Sequence, residues 1–352
     1  MNRINYFLSL SLLLFSCNLY AVKTTEIPMY EFKEELSALH LDGSIVTVSG
    51  KKYNFSHSGL EIKEGSQFYI GSLTKQMTAL MLLKVLQEHF PEKDLHKILN
   101  QNILTLFPNS KFLSEINRPW LSKISLLDLL THRSGLPDYI DYYANDIKNP
   151  KLLNNPINPI EIFQSVKFDP EKNYHYSNTN YLLLGKLIED IEQTSYDKVF
   201  DRFVKIPAKM VSTYAPITGN YYTLKGQPRF NKLLPDLNDQ IFIDMSNAIG
   251  TGNVISSTSD LIKWNHFLHK ELKPQLKKIM LQNYFQDDDS WINLGLSTEE
   301  TKYGSLTGFQ GGLDSYLSFL GYFPKNDLSI AILTNNQADF AKIMDCLDNF
   351  LR

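Results

Sequence analysis

The chain has 352 residues, of which 43% are hydrophobic and 21% charged, and its formal net charge is −3. This composition is typical of a globular protein with a sizeable core, and the length allows one large domain or two lobes. The slightly acidic balance and the lack of a run of basic residues argue against a nucleic-acid-binding surface.

Residues 1–21 have the features of a secretory signal peptide. A basic start at Arg3 is followed by an apolar stretch at 4–15, and residues 19–21 end in a small alanine suited to cleavage. The apolar stretch is too short to span a bilayer. We therefore expect an exported, periplasmic protein with residues 22–352 as the mature domain. A lipoprotein attached through Cys17 is the alternative.

The cysteine count predicts a mature chain without disulfides. Cys17 and Cys346 are the two cysteines, and the first leaves with the signal peptide. The remaining thiol then has no partner, so neither an internal disulfide nor a thiolate metal site is expected. Stability must come from the hydrophobic core.

The first elements after the signal are a helix and a hairpin. Residues 29–39 place Phe32 and Leu36 on one side, a pattern that predicts an amphipathic helix. Residues 43–49 and 53–55 are strand-like and flank a Gly-Lys-Lys turn, which predicts a β-hairpin.

Ser72 and Lys75 stand three residues apart at the start of an apolar helical stretch, 76–86. On a helix this spacing places both side chains on one face, one turn apart. The free N–H groups and the positive dipole end of a helix N-terminus favour a developing anion. A partly desolvated amine has a lowered pKa and can accept the serine proton, which is the chemistry of the Ser-x-x-Lys motif. Taken alone, the pair also fits a serine N-cap followed by a solvated lysine.

The rest of the chain alternates helices with a few strands. Helical patterns are predicted at 181–191, from 259 onward, and at 338–351, and strands are predicted at 315–322 and 328–334. Strands thus lie at both ends and helices fill the middle. This order predicts an α/β lobe built from about residues 25–65 and 290–352, with a mostly helical lobe of about 66–289 inserted.

Three further motifs follow Ser72 and Lys75 in a fixed order. They are Leu-Leu-Thr-His-Arg-Ser-Gly-Leu-Pro at 129–137, Tyr176-Ser177-Asn178, and Thr307-Gly308-Phe309-Gln310-Gly311-Gly312, with Gly-Thr-Gly-Asn at 250–253 between the last two. In this order the chain resembles the serine β-lactamase-related family. That family takes in class C β-lactamases, low-molecular-weight D-alanyl-D-alanine carboxypeptidases and β-lactamase-like esterases.

The resemblance implies a fold and a mechanism. The fold is α+β, of the β-lactamase and penicillin-binding-protein type, with an antiparallel sheet flanked by helices and an inserted, mostly helical lobe. The mechanism is acyl-enzyme catalysis in which Ser72 attacks a carbonyl. Lys75 and Tyr176 would share the proton transfers, with the amine or the phenolate as base.

The resemblance also implies the substrate-binding residues. Asn178 would hydrogen-bond the substrate amide and Lys75, and Thr307 and Gly308 would line the site. The backbone N–H groups of Ser72 and Phe309 would form the oxyanion hole. The substrate would be a small molecule or a peptidoglycan peptide, with no cofactor and no metal, and the oligomeric state stays open.

The third motif departs from the family pattern. The family usually has Lys or His before the Thr-Gly pair, whereas this chain has Leu306. Loss of that cation should weaken binding of a substrate carboxylate, because a charge-assisted hydrogen bond contributes about 1.5–3 kcal/mol. Esterase-like or unusual peptidase activity on less charged substrates is therefore favoured. Arg229 in the long loop at 213–239 is a candidate replacement cation.

Three hypotheses of function follow from these motifs. The leading hypothesis is an exported serine hydrolase that forms an acyl-enzyme at Ser72 on an ester or amide. The alternative is a catalytically silent, penicillin-binding-protein-like chain that binds peptidoglycan or a partner protein, and assembly into oligomers on the same fold is a third possibility. His132 lies in the loop that serves as scaffold in the family, and we expect a structural role for it.

Overall fold

The computed structural model describes residues 27–51, 54–59, 62–63, 65–144, 152–171, 173–235 and 243–351. The predicted signal peptide and Cys17 lie outside these residues. Among the described residues, no helix is both long and apolar enough to cross a membrane.

Ten strands form two sheets in the described part of the chain. The strands are β1 Ser44–Gly50, β2 Asn54–Ser58, β3 Phe68–Tyr69, β4 Ile255–Ser256, β5 Phe285–Asp287, β6 Ser290–Ile292, β7 Ser297–Thr301, β8 Gly304–Leu313, β9 Tyr316–Phe323 and β10 Leu328–Thr334. The main sheet is antiparallel with strand order β2-β1-β10-β9-β8-β7-β6-β5, and β3 pairs with β4 separately. The N-terminal hairpin therefore joins the C-terminal strands in one sheet, as the sequence predicts.

Helices surround this sheet and fill the middle of the chain. The α-helices are α1 Met29–Ala38, α2 Thr74–His89, α3 Leu95–Leu99, α4 Ile103–Leu106, α5 Lys111–Ile116, α6 Leu126–Leu130, α7 Tyr139–Ala144, α8 Pro159–Ser165, α9 Asn178–Glu192, α10 Tyr196–Phe200, α11 Tyr221–Lys225, α12 Thr258–His266, α13 Pro274–Leu281 and α14 Gln337–Leu351. Short 3₁₀ turns include Gly71–Leu73, and π-helical turns extend α10 and α12. The predicted α+β fold is confirmed.

The central strands are covered on both faces. All seven residues of β10 are buried, and β9 is nearly as enclosed, which explains their continuous apolar sequences. On one face lie α1 and α14, where the Phe32 and Phe350 ring centroids are 5.6 Å apart. On the other face α12 contacts the sheet, and Asn265 Nδ2 donates to Gly321 O at 3.0 Å. Helix α12 thus flanks the sheet, although it falls within the segment that the sequence assigned to the helical lobe.

Helix α2 lies between the sheet and the helical lobe. Its apolar residues are buried on every side, from Leu80 to Val85, as expected for a helix without a polar face. It packs against α9, the other long helix of the helical lobe, and the Trp264 indole donates to Gln76 at 2.6 Å. This burial fixes the position of Ser72 at the N-terminal end of α2.

Candidate active site

Ser72 lies in the 3₁₀ turn Gly71–Leu73, which continues directly into α2. No side chain caps the turn or the start of α2, and the Leu73 N–H donates to Ile70 O at 3.2 Å, so Ser72 lies at the positive end of the helix dipole. Gly71 has a φ of +49°, and a Cβ there would lie 2.6 Å from the backbone nitrogen and oxygen of Gly312. Glycine is therefore required at this point, where the helix start and strand β8 meet.

Lys75 is fully buried and its ammonium position is completely enclosed by acceptors. Nζ lies 2.9 Å from Ser72 Oγ, 2.7 Å from Asn178 Oδ1 and 2.9 Å from Thr251 O. Burial lowers the pKa of Lys75 to about 7, and the negative charge of Asp138 opposes that shift. At neutral pH a large fraction of this lysine is therefore a free amine, which is able to accept a proton from Ser72.

Tyr176 flanks the serine hydroxyl on another side. Its Oη is 2.6 Å from Ser72 Oγ, and Lys75 Nζ is 5.1 Å from the centre of its ring. Burial raises the pKa of Tyr176 far above its usual value, and the hydrogen bond with Ser72 offsets only part of that effect. Tyr176 is thus a phenol in the free protein. Of the two bases that the sequence left open, the geometry and charge favour the amine of Lys75.

His132 packs against the ring of Tyr176. The imidazole stacks on the phenol ring with centroids 4.5 Å apart, and its Nδ1 accepts the Ser177 N–H at 3.1 Å. Burial lowers the pKa of His132 to about 3, so the ring is neutral. These contacts agree with the structural role expected for His132, because the ring holds the start of α9 and the tyrosine in place.

Asn178 is held between Lys75 and a buried carboxylate. Its Oδ1 accepts from Lys75 Nζ, and its Nδ2 donates to Asp138 Oδ2 at 2.7 Å. The backbone N–H of Asn178 also donates to Asp138 Oδ2, at 3.1 Å. Sequence analysis missed Asp138, although it directly follows the Leu-Pro of the motif at 129–137. It also missed Thr251, whose carbonyl gives no side-chain signal.

The third motif is in a different register from the predicted one. Leu306 is buried with Phe323 and other residues on the sheet face that α1 and α14 cover, so it points away from Ser72. Phe309, three residues later on β8, lies on the opposite face and stacks on Tyr176 with ring centroids 6.3 Å apart. Phe309, rather than Leu306, therefore occupies the place beside the tyrosine.

The contacts of Thr307 and Gly308 lie within the main sheet. Thr307 Oγ1 is 3.1 Å from Thr298 Oγ1 on β7, and Gly308 pairs with Ser297 across the same ladder. Their predicted substrate-binding role stays a prediction, since these contacts are those of the sheet. Gly311 is the residue that meets the serine: a Cβ there would lie 2.9 Å from Ser72 N and 2.2 Å from Ile70 O.

The ladder geometry also changes the predicted oxyanion hole. Strands β8 and β9 are joined by a two-residue loop, so Leu313 and Tyr316 beside it form a hydrogen-bonded pair, and such pairs alternate along the ladder. By this alternation the Phe309 N–H is directed toward β9, whereas its predicted part in the oxyanion hole requires a donor directed toward Ser72. The Gly312 N–H points to the other edge of β8, which β7 covers only as far as Gly308.

The chemistry available at this site is that of an activated serine. One hydroxyl lies within hydrogen-bonding distance of an amine and of a phenol, at the N-terminal end of a buried helix. In the part of the chain that the structure describes, no group of three His, Cys, Asp or Glu side chains is placed to hold a metal ion.

The family assignment rests on most of the chain. Residues 41–345 match the family model described as Beta-lactamase, and the chain belongs to this family. The matched segment contains Ser72, Lys75, Tyr176 and Asn178.

Two curated relatives come from Staphylococcus aureus. Protein flp of strain N315 is 25% identical over 316 residues, which cover 85% of this chain and 59% of the relative. The teichoic acid D-alanine hydrolase is 30% identical over 237 residues, which cover 64% of this chain and 52% of the relative. The chain thus spans little more than half the length of either relative.

Solved structures show the same fold. The D-stereospecific amidohydrolase from a Streptomyces species superposes with a TM-score of 0.72 at 20% identity, over 90% of this chain and 97% of that one. The D-amino acid amidase from Ochrobactrum anthropi SV3 gives 0.66 at 18% identity, over 91% and 98%. The penicillin-binding protein homologue from Pyrococcus abyssi, an octamer, gives 0.66 at 20% identity, over 92% and 76%.

Proposed function

We propose that this chain is an exported serine hydrolase that forms an acyl-enzyme at Ser72. The observation that carries the proposal is the position of Ser72 Oγ, 2.9 Å from Lys75 Nζ and 2.6 Å from Tyr176 Oη. A serine hydroxyl is a weak nucleophile until an adjacent base takes its proton. The buried amine of Lys75, with its pKa lowered to about 7, is that base.

The proton transfers of acylation follow from this arrangement. Lys75 takes the proton of Ser72 as Oγ bonds to the substrate carbonyl carbon. The carbonyl oxygen becomes an oxyanion between the N–H groups of Ser72 and Gly312, where two fixed donors stabilise its charge. Tyr176 gives its phenolic proton to the leaving group, and the Lys75 ammonium then returns a proton to the phenolate.

Deacylation uses the same groups in the same order. A water molecule takes the position of the leaving group, and the Lys75 amine accepts its proton as the water oxygen attacks the acyl carbon. The acyl–Oγ bond breaks and Ser72 recovers its proton. Both residues therefore return to their starting states without a further reactant.

The substrate class that we propose is a D-aminoacyl ester or amide with an uncharged leaving group. Phe309 lies beside Tyr176, where a cation would otherwise bind a substrate carboxylate, and an apolar ring there disfavours a charged group. Arg229 does not supply that charge at the tyrosine, because its guanidinium covers the Phe230 ring, 4.9 Å from the centroid. The D-alanine in the name of the teichoic acid hydrolase and the D-amino acid in the name of the Ochrobactrum anthropi amidase support the acyl part.

Export is part of the proposal and rests on residues 1–21 alone. Their basic start, apolar stretch and small residue at the end are those of a secretory signal. An exported hydrolase would meet D-alanyl esters and amides of the cell envelope, which is the substrate class proposed above.

The test is hydrolysis of p-nitrophenyl D-alaninate compared with its L-enantiomer, using the purified protein and two serine variants. Ser72→Ala should lose at least about 10³-fold in kcat/KM while its circular dichroism spectrum is unchanged. Ser114→Ala is the control, because that hydroxyl only donates to Lys111 O on an exposed helix. Equal activity in folded Ser72→Ala and wild type would refute the proposal.

The same assay addresses the silent alternative. Phe309 beside Tyr176 is the observation that favours it, because a binding protein does not require a charged substrate contact. Wild-type protein that is folded but gives no turnover of either enantiomer, and no covalent adduct at Ser72, would support the binding protein over the hydrolase.

A further inference from the structure

Asp138 is a buried carboxylate at the edge of the catalytic group. It lies just before α7 and is 8% exposed. Oδ1 accepts the backbone N–H of Ile140 at 2.9 Å, and Oδ2 accepts both the backbone N–H and the side-chain Nδ2 of Asn178. Its partners are therefore three N–H donors, which suits an acceptor-only carboxylate.

These contacts decide how the Asn178 amide is oriented. A carboxylate accepts hydrogen bonds and does not donate them, so it must face the NH₂ group of Asn178. The carbonyl end then points the other way, and its Oδ1 accepts from Lys75 Nζ at 2.7 Å. An amide with its ends exchanged would present NH₂ to the lysine, which has only donors when it is charged.

We infer that Asp138 is a positioning residue for the nucleophile: it fixes Asn178 with its carbonyl oxygen toward Lys75 and so keeps the amine within reach of Ser72. The inference rests on the proposed function of Ser72 and Lys75. The chain of contacts runs from the carboxylate through one amide to Nζ, which is 2.9 Å from the serine oxygen. Asp138 itself does not need to touch the substrate.

The charge of Asp138 has a second, separable effect. It raises the pKa of Lys75 and so opposes burial, which is the larger influence and lowers it. Removal of the charge should therefore lower the pKa of the amine further, and the free amine should persist to lower pH. The titratable groups that face Lys75 or Asp138 are Tyr176, Tyr181, His132, Tyr139 and Asp141.

The experiment measures the second-order rate constant for labelling by a fluorophosphonate between pH 5 and pH 9. Asp138→Asn should lower the plateau by about 10- to 100-fold, because a misplaced base costs that much in rate. The midpoint of its acid limb should move to lower pH. Asp138→Glu keeps the charge but moves the carboxylate, so its plateau should fall while its midpoint stays at the wild-type value.

A matched control is available on the far side of the sheet. Asp339 is also a buried carboxylate that accepts two backbone N–H groups, from Asp42 at 2.8 Å and Gly43 at 3.0 Å. These residues adjoin β1, which is separated from β8 by β10 and β9. Asp339→Asn should change thermal stability without moving either the plateau or the midpoint.

A double-mutant cycle tests whether the effect passes through Asn178. If it does, Asp138→Asn combined with Asn178→Ala should be no slower than Asn178→Ala alone. Fully multiplicative losses, or a wild-type plateau and midpoint in folded Asp138→Asn, would overturn the inference. If Asp138→Asn does not fold, the Asp138→Glu profile decides: a wild-type plateau there overturns it equally. Wild-type protein that is not labelled at all would instead refute the proposed function.

Discussion

Replacement of Gly311 by alanine tests the contact between β8 and the nucleophile. The added Cβ would lie 2.2 Å from Ile70 O, 2.6 Å from Ser318 Oγ and 2.9 Å from Ser72 N. Two of these atoms are backbone, so the strand must move away from the serine by about 1 Å to reach ordinary van der Waals contact. That movement would widen the space between the N–H groups of Ser72 and Gly312.

The expected losses are large in rate and moderate in stability. A displacement of about 1 Å in a catalytic group costs about 10²-fold in rate, and overpacking costs about 1–3 kcal/mol in the free energy of unfolding. Gly312→Ala is the matched control, because its nearest neighbour is the end of the flexible Leu317 side chain at 3.2 Å. It should retain most of the activity.

The assay combines fluorophosphonate labelling rates with urea unfolding for both variants. A Gly311→Ala protein that is labelled at the wild-type rate would refute the assignment of this strand segment to the oxyanion hole. So would equal losses in the two variants, because the reasoning depends on which backbone atoms each Cβ meets.

Three further predictions concern charge and protonation. Phe309→Lys should raise the acylation rate with a carboxylate-bearing penicillin by about 10- to 150-fold, which corresponds to the 1.5–3 kcal/mol of a charged hydrogen bond. Mass spectrometry of penicillin acylation measures this rate, and Phe309→Leu is the uncharged control. Cys346 should react with a disulfide reagent at pH 8 far more slowly in the native protein than in urea, because burial raises its pKa to about 12 and leaves about one thiol in 10⁴ ionised. Native His132 stays neutral down to about pH 3, whereas the unfolded residue takes up a proton below its usual pKa, so stability must fall as the pH drops below about 6.5. Between pH 6.5 and pH 5 the wild type should lose about 1.5 kcal/mol more in the free energy of unfolding than His132→Gln, as measured by urea titration.

Each of these has a contradicting outcome. Penicillin rates that are equal in the Lys and Leu variants would show that position 309 does not contact the substrate carboxylate. Rapid reaction of native Cys346 would contradict its burial against Glu35, whose Oε2 is 3.2 Å from the sulfur. Parallel pH–stability curves for wild type and His132→Gln would mean that the histidine is not buried in its neutral form.

The nucleophile was predictable because its signal is local. Ser72 and Lys75 are one helical turn apart, and the apolar residues that follow require a buried helix, so sequence spacing fixed their relation. The Tyr176 and Asn178 pair opens α9, and its position was predictable from the order of motifs. The strands predicted at 43–49, 53–55, 315–322 and 328–334 overlap β1, β2, β9 and β10, whereas β5 to β8 were not predicted.

The register of β8 was not predictable in the same way. Its sequence contains two candidate segments, Thr307-Gly308 and Gln310-Gly311, and a shift of three residues reverses which face each side chain occupies. The contact of Gly311 with the start of α2 and the stacking of Phe309 on Tyr176 distinguish them. Asp138 was missed because its partner Asn178 is 40 residues away in sequence, and no local spacing joins them.

The most direct test of an activated Ser72 is intact-mass analysis of the purified protein after fluorophosphonate treatment, followed by peptide mapping. A single adduct on Ser72 is predicted, with a labelling rate that rises with pH through about 7 as the Lys75 ammonium loses its proton. Absence of an adduct on the folded protein, or an adduct on another residue, would contradict the account.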